Sequence, residues 1–533
     1  MGAQGTGNAR SGITVAIGVA LAITLLRALW LIFLDPYTLA EDEAQYWDWS
    51  RHLDWAYATK GPGIAWAIGL TTSVFGDTEW GVRMVAVLAS GVRSVGAALL
   101  CVEVLRARGE SRPRVPLYAV LIDQSIPALA VIAQLATIDG PLLACWTLAA
   151  WLTARAARTG SLASWISAGL AVAAGVLFKH TMLVIVPGCA LAAWMLGAKR
   201  LRIGVGAFVL AGALGLVPLI VWNATNGWPQ ALHLLGHLGL GPDAAPKPRG
   251  ADAWSPLWVL EFLGLLVLFA GPPAALVLFG LINRARHNNR FKGPRTDPLL
   301  AAAAIALPLL LLYLVVSLLT RVEGNWAIAA YPALVPLAAW AADDARTRRD
   351  TPVRLATALS LLCGLGVAIG YAGLPALSKL PRVGERIPLQ RLTGLREHAA
   401  AVQAQLDALG ARTGADPFVI SEHYGRTAQL GFYLPGRPTV YCATHQIGGP
   451  TKAYDYIEGV GLDQPGVTES LLARPAIIMG GRLEQWEPFF ESIEPLGQLA
   501  GEPKRDRVAY AGLGFRGIPA REAADEQRGD HAP

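Results

Sequence analysis

By length alone the chain's 533 residues could form three or four soluble domains. Only 16% of them are charged, however, where soluble domains carry roughly 25%, and the mean hydropathy is +0.40. This excludes a disordered chain, a disulfide scaffold and a coiled coil, and it argues strongly against a soluble globular enzyme. The net charge of +6 would suit a nucleic-acid binder, so the distribution of charge has to decide. Of five cysteines, Cys101, Cys145, Cys189 and Cys363 sit in apolar runs, and no disulfide or zinc spacing is present.

Eleven apolar runs are long enough to read as membrane spans: about 11–34, 82–102, 116–135, 140–156, 162–178, 181–197, 203–222, 254–283, 298–320, 327–342 and 353–374. The first is too long for a secretory signal and has no small-residue cleavage site after it. With the N-terminus cytoplasmic, the inner loops hold eighteen Lys and Arg against about seven in the outer loops. This is the positive-inside bias of a polytopic membrane protein, and it accounts for the basic pI without nucleic acid. Eleven crossings put the C-terminus outside. From about residue 380, LTGLREHAAAVQAQLDALG reads as an amphipathic helix, followed by strand–helix–strand in DPFVISEHYGRTAQLGFYLPGRPTVYC and strands in RPAIIMGG and RVAYAGLGF. The expected architecture is therefore a polytopic α-helical membrane part over 1–378, a small periplasmic α/β domain over 379–518, and a polar, disordered tail over 519–533. No internal repeat supports a transporter of tandem halves.

The segment of about 35–80 is too long for an ordinary connection and too rich in Trp for a disordered one. Its stretches 40–51 and 63–74 read as short helices lying on the outer leaflet, with Trp47, Trp49 and Trp55 as interface anchors. Glu41, Asp42 and Glu43 follow the first span directly. Mutual repulsion and partial desolvation raise carboxyl pKa values, which suits a general base; a solvated acidic cap is an equally weighted alternative for the cluster alone. Lys60 precedes the rigid turn Gly61-Pro62-Gly63, Asp139 sits at the outer end of the third span, and Lys179-His180 at an outer turn. Asn325 and Trp326 lie beyond the ninth span, and Arg27 lies inside the first, where an arginine is a functional candidate and snorkelling the plainer account. Acids to deprotonate a hydroxyl, cations to hold a phosphate and an entrance from the lipid together fit a lipid-phosphate donor. A transporter or flippase of a lipid-linked sugar would use the same residues for binding only, and the mid-span Asp123 is the one acid that favours it.

The blocks AEDEAQYWDWSRHLDW, ATKGPGIAW, GVRMVAVL, ATIDGPLLACW, GVLFKHTMLVIVPG, WNATNGWP and RVEGNWAIAAYPAL, then PLQRLTGLREHA and SEHYGRTAQLGFYLPGRPTVYC, resemble the bacterial branch of the dolichyl-phosphate-mannose protein mannosyltransferase superfamily. These are C-type membrane glycosyltransferases, related to the lipid A aminoarabinose transferase, whose outer loop and C-terminal domain match less closely. The resemblance implies transfer of a sugar from a polyprenyl-phosphate donor to an acceptor hydroxyl at the periplasmic face of the inner membrane. It implies Asp42 as catalytic carboxylate beside Glu43, and Asp139 as a second acidic position. Lys60, Arg83, Lys179, His180, Asn325 and Arg27 become candidate substrate contacts. Gly61-Pro62-Gly63 and His180 depart from the family's frequent Pro-Pro and Tyr. No metal site is assigned, although Asp42, Glu43 and Asp139 have the hard oxygen chemistry for a divalent cation.

Overall fold

The structure, a computed structural model, describes residues 2–237, 255–287, 296–380, 389–502 and 507–518. The expected disordered tail at 519–533 and the expected boundary near 379 touch residues outside that set. Three helices are long and apolar enough to cross a membrane unbroken: Ser11–Phe33, Glu79–Arg108 and Thr351–Leu377. Three bent pairs raise the number to as many as six among the described residues, beside the shorter apolar helices Gly63–Phe75, Leu162–Phe178 and His180–Met195.

The breaks follow from local sequence. The expected span 254–283 is two helices, Leu257–Ala270 and Pro273–His287, whose axes differ by 102°. Gly271 ends the first at φ +62, and Pro272 and Pro273 cannot continue it because neither has an N–H to donate. Pro127 splits 116–135 into Val115–Ser125 and Pro127–Ile132. Milder bends, 42° and 41°, interrupt Leu201–Thr225 and Pro298–Ser317. The remaining apolar helices are Asp139–Thr159, Leu162–Phe178, Ile185–Met195 and Tyr331–Arg348.

The C-terminal part carries a five-stranded sheet of order β2-β1-β3-β5-β4, with β1 Phe418–Ser421, β2 Val440–Cys442, β3 Ala476–Met479, β4 Phe490–Gly497 and β5 Ala509–Phe515. β1 runs parallel to β2 and β3, while β5 is antiparallel to β3 and β4. Both faces of β1 and β3 are covered. Phe418, Ile420 and Ile478 join Trp486, Phe490 and Phe515 on one side; Val419 and Ile477 join Val402, Leu406 and Leu409 of helix Leu395–Thr413 on the other. The two-residue alternation of a strand produces both cores at once.

The segment 35–80 joins these two parts. Its helices are Glu41–Arg51 and Gly63–Phe75. The first is not laid on a leaflet, because helix Tyr424–Tyr433 packs on it. Trp47 and Trp49 are fully buried, with Trp47 Nε1 donating to Asp77 at 2.8 Å and Trp49 stacked on Tyr57 at 4.3 Å. Of the three expected interface anchors, only Trp55 is exposed. The Tyr433 hydroxyl accepts from Leu39 N at 2.7 Å, Gln429 Nε2 donates to Leu39 O at 3.1 Å, and Tyr454 donates to Asp48 at 2.8 Å.

Gly61 lies against the end of helix Leu162–Phe178 so closely that a Cβ there would overlap the Leu177 carbonyl oxygen. Backbone cannot rotate aside as a flexible side chain can. Gly61→Ala should therefore cost about 1–3 kcal/mol, read as a lower thermal midpoint in detergent. Gly18→Ala, where a Cβ would meet open space, serves as the control and should leave the midpoint unchanged or raised.

Candidate active site

Helix Glu41–Arg51 begins at an Ala40 that has no side-chain cap to offer. Glu43 supplies part of what is missing by accepting from Ala40 N at 2.9 Å. The same carboxylate turns inward to Arg83, which donates from Nε to Oε1 at 2.9 Å and from Nη2 to Oε2 at 2.6 Å. Ala136 N donates to Oε1 at 2.8 Å. One buried carboxylate thus ties together the outer loop, helix Glu79–Arg108 and the turn three residues before Asp139. Burial alone would raise the pKa of Glu43, but the Arg83 charge and hydrogen bonds and the two backbone N–H groups outweigh it and hold it below the ordinary glutamate range.

Arg83 was expected to contact substrate. Its remaining donors go to Asp35 at 2.8 Å, Tyr37 O at 3.0 Å and Thr38 O at 2.9 Å, so all five N–H groups are engaged and none is left for a phosphate. Arg27 also stands apart. It donates to Ser90 at 2.8 Å and lies in a mid-span network with Arg93 and Asp123. Asp123, the acid that favoured a transporter, is bound by Arg93 at 2.9 Å and by Ser94 at 2.5 Å.

Asp42 points the other way. Its side chain is solvent-accessible but recessed, and the limited hydration pushes its carboxyl above the ordinary aspartate range; nearby Lys60 and Tyr424 oppose the shift without cancelling it. Tyr46, one helical turn on and therefore on the same face, is buried, with its phenol within reach of the charges of both Asp42 and Asp139. Asp139 accepts from Lys179 Nζ at 2.8 Å. Lys60 has no ion-pair partner among the described residues, and its ammonium titrates below the ordinary lysine value because it is poorly hydrated and faces Lys179.

The backbone of Lys60 is gripped firmly. Tyr57 and Lys60 pair N to O in both directions, at 3.0 and 3.2 Å, and Gln230 Nε2 donates to both carbonyl oxygens at 2.8 Å. Asn223 holds Gln230 in turn at 2.8 Å, and Trp222 Nε1 reaches Asp54 at 2.7 Å. His180 interacts with Gln230 and so belongs to this clamp. Tyr313 lies near Lys179 and Asp139, and Trp326 packs on Tyr313 at 5.7 Å. Asn325, beside Trp326, is solvent-exposed. Sequence reasoning missed Tyr46, Gln230, Tyr313 and Tyr424. Gln230 had a signal in the WNATNGWP block that precedes it, and Tyr46 and Tyr424 lie inside the blocks AEDEAQYWDWSRHLDW and SEHYGRTAQLGFYLPGRPTVYC; Tyr313 had none.

A divalent cation does not fit this donor set. Glu43 is committed to Arg83 and Asp139 to Lys179, and among the described residues no three His, Cys, Asp or Glu converge.

The arrangement brings together an exposed carboxylate, an unpaired lysine and a lysine–aspartate pair, on a fold of bent membrane helices capped by an α/β unit. That fold is shared by the solved membrane protein ArnT. The structure of ArnT from Cupriavidus metallidurans matches it with a TM-score of 0.62 over 93% of this chain and 98% of ArnT, at 15% identity. ArnT bound to undecaprenyl phosphate matches at 0.60 over 95% and 99%, at 17% identity. Residues 59–223 match the family model "Dolichyl-phosphate-mannose-protein mannosyltransferase". This match covers under a third of the chain and falls on the part that carries several of the sequence blocks resembling that family. The fold likeness to ArnT reaches through the C-terminal part, farther than the sequence resemblance suggested.

Among curated relatives, the lipid A galacturonosyltransferase RgtD of Rhizobium johnstonii is 26% identical over 62% of this chain and 65% of its own length. An undecaprenyl phosphate-alpha-4-amino-4-deoxy-L-arabinose arabinosyl transferase of Pseudomonas fluorescens is 27% identical over 40% of this chain and 39% of its own. The matches thus span less than two thirds of these relatives.

Glu43→Gln removes the anion and leaves Arg83 buried with Asp35 as its remaining carboxylate partner. The loss expected for breaking such a pair is about 3–5 kcal/mol. The double variant with Arg83→Met should be less destabilised than the sum of the two single changes in thermal unfolding, and strict additivity would show that the pair does not act as a unit. Because the folded pKa of Glu43 is lowered, its contribution is complete above the unfolded value near ~4.3 and is lost as pH falls through the lower folded value.

Proposed function

We propose that this protein is a membrane glycosyltransferase that moves a sugar from a polyprenyl-phosphate donor to a hydroxyl of a lipid-anchored acceptor. The observation that carries this is the meeting of Asp42, Lys60 and the Lys179–Asp139 pair at one place. The named relatives, both acting on lipid-linked sugars or lipid A by their titles, favour a glycolipid acceptor over a protein or a cell-wall glycan. The charge bias of the loops favours a cytoplasmic N-terminus and a site on the periplasmic face of the inner membrane.

In this mechanism the donor tail stays in the bilayer and its phosphate lies by Lys60. Asp42 accepts the proton of the acceptor hydroxyl as that oxygen attacks the anomeric carbon from the face opposite the phosphate. The sugar–oxygen bond to phosphate breaks, polyprenyl phosphate leaves with the electron pair, and configuration inverts. Lys60 and Lys179 stabilise the charge gathering on the leaving phosphate, an effect that low hydration strengthens. Asp139 anchors Lys179 and sets its direction. Glu43 and Arg83 hold Asp42 in place without touching substrate. A base with a raised pKa is a better proton acceptor than an ordinary aspartate.

Asp42→Asn should lower transfer by roughly 10²–10⁴-fold with folding intact. Lipid mass spectrometry on cells carrying it should show one glycolipid lacking a sugar and the polyprenyl-phosphate sugar accumulating. An unchanged lipid profile would overturn the assignment of Asp42 as the base. In purified enzyme, kcat/KM should fall on acidification along a limb centred above ~3.9, the ordinary aspartate value, because the raised pKa of Asp42 must be exceeded for the base to be free. A limb at or below that value would contradict the assignment.

A further inference from the structure

Asp42 is flanked on its other side by the C-terminal part, and that side is built. Gly425 opens helix Tyr424–Tyr433, and a Cβ there would lie 2.6 Å from the Glu41 side chain, so glycine permits the close approach of the two helices. This approach sets the Tyr424 hydroxyl 3.4 Å from Asp42 Oδ1, a long contact that leaves room for a third group to share the carboxylate. His423 stacks on Tyr424 at 4.5 Å and fixes the ring from behind. Lys452 Nζ sits 5.7 Å from the centroid of the same ring.

Lys452 is placed by its own loop. Asp455 accepts from Lys452 N at 2.6 Å, and Gln446 Nε2 donates to Asp455 at 3.2 Å. Both oxygens of Asp455 thus face backbone and amide, so this acid orients the loop and does not neutralise the Lys452 ammonium. Among the described residues Lys452 has no ion-pair partner. The acid nearest to Tyr424 besides Asp42 is Glu41, whose charge also falls on Arg426. Tyr424 and Lys452 lie in the segments that follow the parallel strands β1 and β2.

Two lysines without ion-pair partners among the described residues therefore belong to the surroundings of Asp42, Lys60 through its charge and Lys452 through the Tyr424 ring. Lys60 belongs to the membrane part, beside the Lys179–Asp139 pair, and Lys452 belongs to the C-terminal roof. A single leaving phosphate uses the first set and does not need the second.

We propose that Tyr424 and Lys452 form the acceptor subsite, and that it takes an acceptor bearing an anionic group, phosphate or carboxylate, close to the hydroxyl that receives the sugar. This rests on the transferase reading above. The anion lies against Lys452, a sugar ring of the acceptor packs on Tyr424, and the receiving hydroxyl shares the Asp42 carboxylate with the Tyr424 hydroxyl. Tyr424 is a positioning residue that orients the carboxylate and the incoming ring.

The test uses the full-length enzyme in detergent with its polyprenyl-phosphate sugar, offered a phosphorylated lipid A and the same lipid after chemical dephosphorylation. A third arm adds free inorganic phosphate as competitor. Wild type should prefer the phosphorylated lipid. Lys452→Gln should reduce that preference about tenfold, chiefly through KM for the acceptor, and Lys452→Arg should restore most of it. Lys60→Gln, on the donor side, should slow both acceptors alike and leave their ratio unchanged. Inhibition by free phosphate that is weakened in Lys452→Gln would identify the headgroup charge itself as the ligand. An unchanged ratio in Lys452→Gln, with transfer intact, would overturn the subsite and leave the transferase standing. Absence of transfer by wild type to any lipid acceptor would instead overturn the transferase reading.

Discussion

The site depends on the Glu43–Arg83 pair. A glutamate and an arginine buried almost completely would be costly apart, and the interior offers no water to replace a lost partner. The pair is tolerable because every donor of the guanidinium is satisfied and the carboxylate receives two backbone N–H groups besides. What it achieves is directional. The residue after Asp42 is pinned inward, so on a helix Asp42 itself must face about 100° away, toward the opening. The Ala136 bond draws the turn before Asp139 to the same point. Two acids from distant parts of the sequence are thus set near one another by a third that does no chemistry.

The second constraint is close backbone contact. Gly61 lets the Lys60 turn lie on the end of the helix that delivers Lys179, and Gly425 lets the C-terminal helix lie on the start of the helix that carries Asp42. Both contacts would be lost with any side chain at those positions, and both bring charged groups together that would otherwise stay a side chain's width apart. Packing of this kind explains why the outer loop is rich in Trp yet largely buried. Trp47 and Trp49 fill the space between two domains, so their rings are core, and their placement fixes helix Glu41–Arg51 as firmly as a helix inside a bundle.

Much of this was legible in the sequence, and the rest was not for identifiable reasons. Apolar runs and the alternation of strands with a helix after residue 380 gave the two-part architecture, because hydropathy and period report burial directly. The expected run 254–283 reads as one straight span because Gly271-Pro272-Pro273 is apolar, while its backbone turns the chain through 102°. Asp42, Lys60, Asp139 and Lys179 were singled out by charge at one end of apolar runs, and the structure brings these four together. Arg83 and Glu43 could not be separated from them on that basis. Both are charged and both lie at the outer face; only the pairing geometry shows that each is used up by the other. Tyr46 and Tyr424 lie within the family-like sequence blocks and Tyr313 does not, yet none was singled out, since a tyrosine beside a carboxylate and a tyrosine in a core look alike in sequence.

The electrostatics of the site then follow from which charges are paired. Arg83 and Lys179 are each bound to a carboxylate; Arg83 spends every donor on its neighbours, while Lys179 gives one of an ammonium's three to Asp139. Lys60 and Lys452 are not bound to one. For Lys60 the consequence is strain of a useful kind: poor hydration and the neighbouring Lys179 both disfavour its charge, and an incoming phosphate relieves both. The same anion lowers the cost of keeping Lys60 protonated, so phosphate binding and protonation of Lys60 reinforce each other. In the proposed transfer, the negative charge that accumulates on the leaving phosphate would strengthen that coupling further, placing the largest stabilisation at the transition state and not at the bound donor.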